Sequence, residues 1–461
     1  MSYWIAEPYI EEDGEIGFAI IEKETNPKVE IQTLIDWKEQ DKKLGKELEI
    51  LVKSIFWTGE NYPLPGRPDI EHDDPKLHRD ILKFNENHIW HQDPGYLELL
   101  TNWELHTYLP EFLSHSPRLL LYGPTKSGKT RVMDVVRSIS RRAFVCADPT
   151  KAGLYRLSER YMPTVLVDEY QRLSAEKRSD IDILYTNGFE KGVKVPRVNE
   201  NGSIDFFHVF SPFAISTKDR LPPEDLQNRA VMMGMILKPK KTETEIRRRI
   251  DFKAATQLRT RCIAMRLRAF SGAIDMKPFL EQAWITAEKS IDINRDKDKN
   301  EILVSLDDRA IEIAANLIVP GMIFSDSFKE TLRLVAYSQA ESDQELENTI
   351  SGQVFHALQA VLHSKKKGTL TDIDEFSPEI VCSICTRDVA QQLNQDLIMQ
   401  GNLNEKDPPI KTRRVTEALH VMGFQFDKSK KTHNQTHLDG KTFKAVYESN
   451  LLKYGSDKGV E

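Results

Sequence analysis

One short stretch of the chain carries the residue types that bind nucleotide phosphates. The pattern G-x-x-x-x-G-K-[ST] is matched at every defined position by Gly123, Pro124, Thr125, Lys126, Ser127, Gly128, Lys129 and Thr130. The glycines let the backbone bend, so that successive amide N–H groups can surround phosphate oxygens. A helix that begins at this point adds the positive end of its dipole. The stretch therefore predicts a phosphate-binding loop.

The last two residues of this loop have predicted roles in nucleotide chemistry. Lys129 is expected to reach the β- and γ-phosphates, and the Thr130 hydroxyl is expected to be a ligand of Mg²⁺. The bare pattern also occurs by chance as a glycine-rich turn with an incidental lysine. Here it follows a predicted strand, 118–122, and opens a predicted helix, which is the context that favours a nucleotide site. We therefore expect ATP and Mg²⁺ as cofactors.

Two consecutive carboxylates, Asp168 and Glu169, follow a second apolar run at 164–167. An aspartate at the tip of a strand beside the loop can hold Mg²⁺, usually through water. The adjacent glutamate can orient or deprotonate an attacking water. Such a pair alone is as easily a capped strand end with solvated acids. Because it comes soon after a phosphate-binding loop, we assign Asp168 with Thr130 to the metal and Glu169 with Lys129 to catalysis.

The elements that must position these residues alternate between strands and helices from about residue 117 to 237, and they include a predicted helix at 151–161 and one predicted strand at 207–216. Before them, residues 29–51 are predicted to form one or two helices. This order predicts a three-layer α/β domain with a parallel sheet. The predicted division of the chain has four parts: 1–85, a mixed α/β region of unknown role; 86–240, the P-loop core with a helical lead-in; 241–380, a helical lid or middle domain; and 381–461, a winged-helix-like domain.

Composition limits the function classes. The chain has 461 residues, 29% of them charged, and a formal net charge of -7, so we expect a soluble protein of two or three domains. Nucleic-acid binding would have to come from a local basic patch. No run approaches the ~20 apolar residues that span a bilayer, and the N-terminus does not resemble a signal peptide. The lack of a spanning run favours no membrane association, and four cysteines favour a reducing cytoplasm.

These motifs resemble those of AAA+-type ATPases, because the consecutive Asp-Glu and its short distance to the loop fit that class better than RecA-like motors. More specifically, the chain resembles the P-loop modules of primase–helicase-like proteins from phages, plasmids and integrated elements. The segments that carry this resemblance are 97–108, 185–192 and 226–231. The resemblance implies an AAA+-like core, a helical lid and a winged end.

Two further site positions are implied by the resemblance. Ser216 and Thr217 match a polar sensor position, whose hydroxyl contacts the γ-phosphate or the attacking water; Thr217 is preferred, and the alternative is a strand-end hydroxyl in a turn. Arg229 matches the arginine finger, which neutralises charge on the γ-phosphoryl group, usually in a neighbouring subunit. A surface salt bridge is the alternative. A finger implies a homo-oligomer, such as a ring.

The C-terminal segment predicts a winged helix, with helices at 386–400 and 412–422 and strands at 424–427 and 442–447. Basic residues at the second helix and in the wing suit contacts with DNA phosphates and bases. These residues are Lys411, Arg413, Arg414, Lys430 and Lys431. The alternative is a protein-interaction module with a solvated basic loop.

Cys382 and Cys385 have the spacing of a redox or zinc motif. A structural zinc site needs four ligands, and the sequence near them has no second pair. His433 and His437 become ligands only if they meet these cysteines in space. Buried, inert cysteines at a helix entry are the favoured interpretation.

The leading hypothesis from the sequence is an ATP-hydrolysing, AAA+-like motor or remodeller that acts on DNA, helicase-like, in the replication of a phage or mobile element. The alternative is a nucleotide-switched assembly or binding module with slow, DNA-independent hydrolysis. A DNA-binding regulator with a vestigial ATPase is the weakest hypothesis, since every defined loop position is intact.

Overall fold

The structure is a computed structural model, and it divides the chain into two compact units, Met1–Ser338 and Gln339–Glu461. The four-part division expected from the sequence stays a prediction. The described residues are 5–21, 29–52, 64–146, 151–198, 201–218, 224–239, 246–293, 303–325, 327–348, 350–367, 376–399, 409–422, 424–432, 435–439 and 443–454.

The described strands and helices follow in chain order. The strands are β1 (Ile5–Ile10), β2 (Ile16–Ile21), β3 (Val29–Thr33), β4 (Arg118–Tyr122), β5 (Ala143–Val145), β6 (Thr164–Val167), β7 (Lys194–Val198), β8 (Ile204–His208), β9 (Phe213–Thr217), β10 (Ala230–Gly234), β11 (Ile291–Asp292), β12 (Leu303–Val304), β13 (Phe426–Thr432) and β14 (Gln435–Leu438). The helices are α1 (Leu34–Gln40), α2 (Lys42–Val52), α3 (Leu77–His88), α4 (Gly95–His106), α5 (Lys129–Ile139), α6 (Lys151–Tyr161), α7 (Ala175–Asn187), α8 (Glu224–Gln227), α9 (Phe252–Phe270), α10 (Met276–Ala287), α11 (Asp308–Ile323), α12 (Lys329–Asn348), α13 (Ile350–Lys367), α14 (Pro378–Val381), α15 (Thr386–Met399), α16 (Thr412–Val421) and α17 (Phe443–Tyr454). None of these helices, within the described ranges, is both long and apolar enough to cross a bilayer.

A parallel sheet forms the centre of the first unit. Among the described residues it has five strands in the order β10-β4-β9-β6-β5. Every residue of β6 and β9 is buried, as expected of parallel strands that are covered on both faces. The predicted α/β core with a parallel sheet is therefore confirmed.

Alternate side chains of the sheet enter different hydrophobic clusters. Leu119 and Leu121 belong to a cluster that includes residues of α4, α5, α9 and α11. Leu120 and Ile215 belong to another, which includes residues of α6 and α7. Because side chains alternate along a strand, the sheet separates two helical layers. This is the three-layer arrangement expected from the sequence.

The N-terminal strands are joined to this core through a buried charge cluster. Glu7 of β1 is 1% exposed, and its Oε1 lies 2.7 Å from Arg141 Nη2 and 2.8 Å from Arg266 Nε. Its Oε2 lies 3.3 Å from Arg142 Nη2. Burial alone raises the pKa of Glu7, but the three guanidinium groups reverse this effect and hold the pKa well below its usual range.

The second unit is built on helices and one hairpin. Helices α13, α15 and α16 pack around a hydrophobic core, and β13 pairs antiparallel with β14. Cys385 forms an isolated antiparallel bridge with His437. The winged-helix-like interpretation of this unit stays a prediction.

Three local predictions are wrong. The strand expected at 442–447 is part of helix α17, where Phe443, Val446 and Tyr447 have the i, i+3, i+4 spacing of a helix face. The helices expected from residue 29 are preceded by strand β3. The single strand expected at 207–216 is divided between β8 and β9.

The Glu7 cluster generates a stability prediction. Glu7→Gln should lower the free energy of unfolding at pH 7 by about 3–5 kcal/mol, because three buried guanidinium groups lose their shared carboxylate. Denaturant unfolding of the full chain measures the change. Glu12, an exposed residue near Glu7 in the sequence, provides the control. Glu12→Gln should change the free energy of unfolding by less than about 0.5 kcal/mol.

The same carboxylate predicts a pH dependence. The pKa of Glu7 in the folded chain lies below its ordinary value of 4.5, so its contribution is complete above about pH 4.5 and is lost as the pH falls. The stability gap between the wild type and Glu7→Gln should narrow by up to about 1.4 kcal/mol per pH unit below that value. If the difference in stability between the wild type and Glu7→Gln stayed constant down to pH 3, the low pKa of Glu7 would be contradicted.

Candidate functional site

The predicted phosphate-binding loop connects β4 to α5, and its backbone depends on glycine. Gly123 has a φ of +143°, and a Cβ at this position would lie 2.1 Å from the carbonyl oxygen of Met235. Gly128 has a φ of +97° and is the N-cap of α5. Lys126, between them, is also left-handed, with a φ of 69°. The loop is thus a sharp bend that points into a helix N-terminus.

Lys129 is folded back onto this loop. Its Nζ donates to the carbonyl oxygens of Gly123 at 2.6 Å and Pro124 at 2.8 Å, and approaches Ser127 Oγ at 3.4 Å. Phosphate oxygens also accept hydrogen bonds, so they can replace these oxygens as partners of the ammonium group. The loop and its ammonium group fit a phosphate tail, because the positive charge and the first turn of α5 lie together.

The acidic pair lies at the same edge of the sheet as the loop. Strand β9 separates β4 from β6, and its Thr217 is in register with Tyr122, the residue before the loop. Ser216 Oγ donates to Asp168 Oδ1, and the amide of Glu169 donates to the same oxygen at 3.0 Å. The structure thus brings the loop, the two carboxylates and both hydroxyls to one edge, as expected for the carboxyl ends of parallel strands.

Glu169 has an unusual backbone conformation and an ion pair. Its φ is 52° and its ψ is 43°, a left-handed conformation that is uncommon for a residue with a side chain. Its Oε2 lies 2.6 Å from Arg172 Nη1, and the two side chains are 46% and 73% exposed. The carboxylate is therefore engaged by Arg172 and is within reach of solvent.

Asp134 is a further carboxylate near the acidic pair that the sequence interpretation missed. Burial raises its pKa, and the charge of Asp168 raises it further, against the opposing effects of Arg131 and Arg137. Its position four residues after Thr130 puts it on the same face of α5. This i, i+4 spacing from Thr130 is the sequence signal that could have identified Asp134.

Arg229 is not brought to this edge. It directly precedes β10, whose Ala230 is in register with Arg118 at the amino end of β4. Six residues separate the level of Arg229 from that of Gly123, so they lie roughly 20 Å apart along the strand direction at ~3.3 Å per residue. Arg229 therefore cannot contact the loop of its own chain.

A second missed feature is the antiparallel hairpin of β7 and β8, which lies in the sequence between the acidic strand and β9. Phe207 packs on Tyr155 of α6, with ring centroids 5.9 Å apart. The opposite face exposes Val198, Ile204 and Phe206. The dipeptide Asn201-Gly202 between two apolar runs is a typical hairpin signal.

The basic residues of the second unit lie on two elements. Lys411, Arg413 and Arg414 are exposed at the start of α16. Lys430 and Lys431 belong to strand β13 rather than to a loop, because the hairpin extends further than the sequence predicted.

The cysteine pair does not form a metal site within the described part of the chain. His437 Nδ1 lies 3.2 Å from the carbonyl oxygen of Cys382, so the imidazole contacts the backbone of this segment. Cys385 is buried. No group of three or more potential ligands occurs among the described residues, and His433 lies outside them.

Three solved structures share a limited similarity with this chain. No family model and no curated protein matches the chain. Among solved structures, SCCmec type IV Cch, described as an active helicase, is 13% identical with a TM-score of 0.40 over 96% of this chain and 94% of that chain. The C-terminal region of NrS-1 is 11% identical with a TM-score of 0.34 over 94% and 96%. JCV helicase is 14% identical with a TM-score of 0.26 over 47% and 65%. Since all three TM-scores are low, inferences about this chain rest on its own residues.

The Gly123 geometry predicts a specific loss of nucleotide binding. Gly123→Ala should weaken binding of a fluorescent ATP analogue by about tenfold or more, because the added methyl group collides with the Met235 carbonyl and displaces the loop. Gly192→Ala is the matched control, since Gly192 has a φ of +96° but open space around it. Equal binding by the two variants would rule out this loop geometry.

Proposed function

We propose that this chain is an ATP-hydrolysing, AAA+-like motor or remodeller that acts on DNA. The observation that supports this most is the shared edge of the sheet, where the loop, Asp168 and Ser216 lie together. The resemblance of the motifs to phage and mobile-element proteins supports a helicase-like role in replication.

The side chains at this edge suit hydrolysis of a nucleoside triphosphate. Lys129 and the loop amides would bind the phosphates, and Thr130 with Asp168 would hold Mg²⁺, a cation that prefers oxygen ligands. The bound Mg²⁺ would neutralise charge on the phosphate oxygens. Glu169 would orient the water and accept its proton as the bond between the β- and γ-phosphates breaks. Thr217, beside the loop, stays the proposed sensor.

The position of Arg229 supports an oligomer. Because Arg229 lies at the edge opposite its own loop, it can act as an arginine finger only on a nucleotide held by another copy. A closed ring of copies would supply such a contact at every site.

Two surfaces suit DNA. Phe206 on the β7–β8 hairpin offers an exposed aromatic ring for stacking on bases. Lys411, Arg413 and Arg414 offer positive charge to phosphates, and Lys430 and Lys431 extend that basic segment along the sequence.

One observation favours the alternative, a nucleotide-switched module with slow, DNA-independent hydrolysis. The ion pair between Glu169 and Arg172 occupies the carboxylate that would activate water. If no partner breaks this pair, bound ATP would be hydrolysed slowly. The chain would then act mainly by changing its assembly when ATP binds.

The catalytic proposal predicts a separation of binding from turnover. Glu169→Gln should lower the ATP hydrolysis rate by about 100-fold or more while it preserves affinity for an ATP analogue, because general-base assistance is lost. Lys129→Ala should lose both ATP hydrolysis and affinity for the analogue. Steady-state ATPase and analogue titration measure the two quantities.

An exposed glutamate on α7 serves as the control, and Glu176→Gln should behave as wild type. The proposal would be abandoned if Glu169→Gln hydrolysed ATP at the normal rate. DNA should raise the wild-type rate; a rate that DNA does not change would favour the switched module.

The DNA proposal predicts a change in salt dependence. Replacing both Arg413 and Arg414 by alanine should weaken binding to duplex DNA and reduce the slope of log affinity against log salt by about 2, because two phosphate contacts are lost. Fluorescence anisotropy without nucleotide measures both quantities. The exposed pair Arg248 and Arg249 provides the control substitution. Identical salt slopes for the two double variants would exclude this surface.

A further inference from the structure

A cavity of about 780 Å³ lies in the first unit, and its lining comes from segment 67–77 and from helices α9, α10 and α11 with the turns beside them. None of the described residues that line it belongs to the predicted phosphate-binding loop or to the acidic pair. Ligand sites of proteins have volumes of about 300–1,000 Å³. The cavity is therefore large enough for a small molecule, and the nucleotide chemistry proposed above does not use it.

One wall of this cavity is fixed to α9 by hydrogen bonds. The amide of Gly66 donates to Thr260 Oγ1 at 2.8 Å. Further along the same segment, Asp74 accepts from Arg261 through both carboxylate oxygens, at 2.6 Å from Nε and 2.9 Å from Nη2. Thr260 and Arg261 are neighbours on α9, and both line the cavity. The wall is therefore pre-organised, a condition that lowers the entropic cost of binding a ligand.

Most charged side chains of the lining already have partners within the chain. The pairs are Arg67 with Glu11, Arg261 with Asp74 and Asp80, Asp69 with His72, and Asp275 with the amide of Lys277. Both arginines in this set lie 2.8 Å or less from a carboxylate oxygen. A ligand that approached either of them would have to compete with that carboxylate.

Arg268 is the exception among the lining arginines. Its side chain is 13% exposed, and its Nη2 lies 3.5 Å from Oδ1 of Asp73, whose side chain is 75% exposed. Its Nε and Nη1 are buried and have no hydrogen-bond partner in the described part of the chain. A buried donor without an acceptor costs about 1–3 kcal/mol, and more when the group is charged. An acceptor supplied by a ligand would remove this cost.

The guanidinium of Arg268 is not locked in place by Asp73. An exposed ion pair of this kind contributes about 0–1 kcal/mol, and the distance of 3.5 Å is long for a charge-assisted hydrogen bond. The arginine side chain can therefore turn toward an acceptor inside the cavity without loss of a strong contact.

The remaining lining favours an apolar ligand body. Large apolar side chains enter it from α9, from the turn before α10, from α10 itself and from the end of α11. These are Met265, Ile274, Phe279, Ile323 and Phe324. Removing hydrocarbon from water against such side chains contributes roughly 25 cal/mol per Å² of apolar surface. The cavity thus combines one anion-binding group with an apolar surface.

We propose that this cavity binds a small organic molecule that carries one carboxylate group on an apolar body. The carboxylate would accept charge-assisted hydrogen bonds from Arg268, and the body would pack against Met265, Phe279 and Phe324. A phosphate monoester with two negative charges is disfavoured, because four aspartates also line the cavity and repel further negative charge. The proposal does not depend on the ATPase function.

The test titrates the full chain with 4-phenylbutyrate and measures the dissociation constant by calorimetry. Two probes of similar shape accompany it: 4-phenylbutanamide, which lacks the charge, and 4-phenylbutyl phosphate, which carries a larger one. The carboxylate should bind about tenfold or more tightly than the amide, because only the carboxylate accepts charge-assisted hydrogen bonds. It should also bind more tightly than the phosphate monoester.

Variants of the lining assign the binding to this cavity. Arg268→Gln should weaken 4-phenylbutyrate binding by about tenfold or more and remove the preference over the amide. Arg156→Gln, at an exposed arginine of α6, is the matched control and should bind as wild type. Ala273→Trp keeps Arg268 but places an indole at an exposed position of the lining, so it should also weaken binding.

Several results would overturn the inference. They are a wild type that does not bind 4-phenylbutyrate, an amide bound as tightly as the carboxylate, and an Arg268→Gln chain with wild-type affinity. Tighter binding of the phosphate monoester would overturn the choice of a carboxylate. If Arg268→Gln does not fold, Ala273→Trp decides the outcome, because unchanged affinity in that variant would place the binding elsewhere.

Discussion

The insertion of β9 between β4 and β6 is the constraint on which the candidate site depends. Parallel strands end at one edge, but only strands that are close together bring their end residues into contact. Because β9 lies between the loop strand and the acidic strand, Ser216 can donate to Asp168 while Thr217 lies level with Tyr122. The buried, apolar composition of these strands fixes their place at the centre of the sheet.

Local sequence signals predicted the strands and helices correctly where each element has clear boundaries. Strand β4 is an apolar run between Pro117 and Gly123, and its predicted bounds agree with the structure. Strand β6 and helix α6 were predicted with equal accuracy. The errors occur where one pattern allows two structures. Phe443 and Val446 suit a strand or a helix, and packing of Phe443 and Tyr447 in the second core selects the helix.

The spatial grouping of the candidate residues was predicted in part, for a physical reason. Parallel strands imply that Gly123 and Asp168 share an edge, so this grouping follows from the sequence once the strands are known. Strand order does not follow from local patterns, so the contact between Ser216 and Asp168 could not be predicted.

The Glu7 cluster has a consequence for how the chain can be divided. Its carboxylate is supplied by the first strand, whereas the guanidinium groups belong to segments that follow α5 and lie within α9. A proteolytic fragment that began beyond β2 would lack this carboxylate. Arg141 would lose its ion pair with Glu7, and Arg266 would keep only its pair with Glu111. The N-terminal sheet is accordingly an integral part of the first unit, and trimming it would destabilise that unit instead of releasing an independent module.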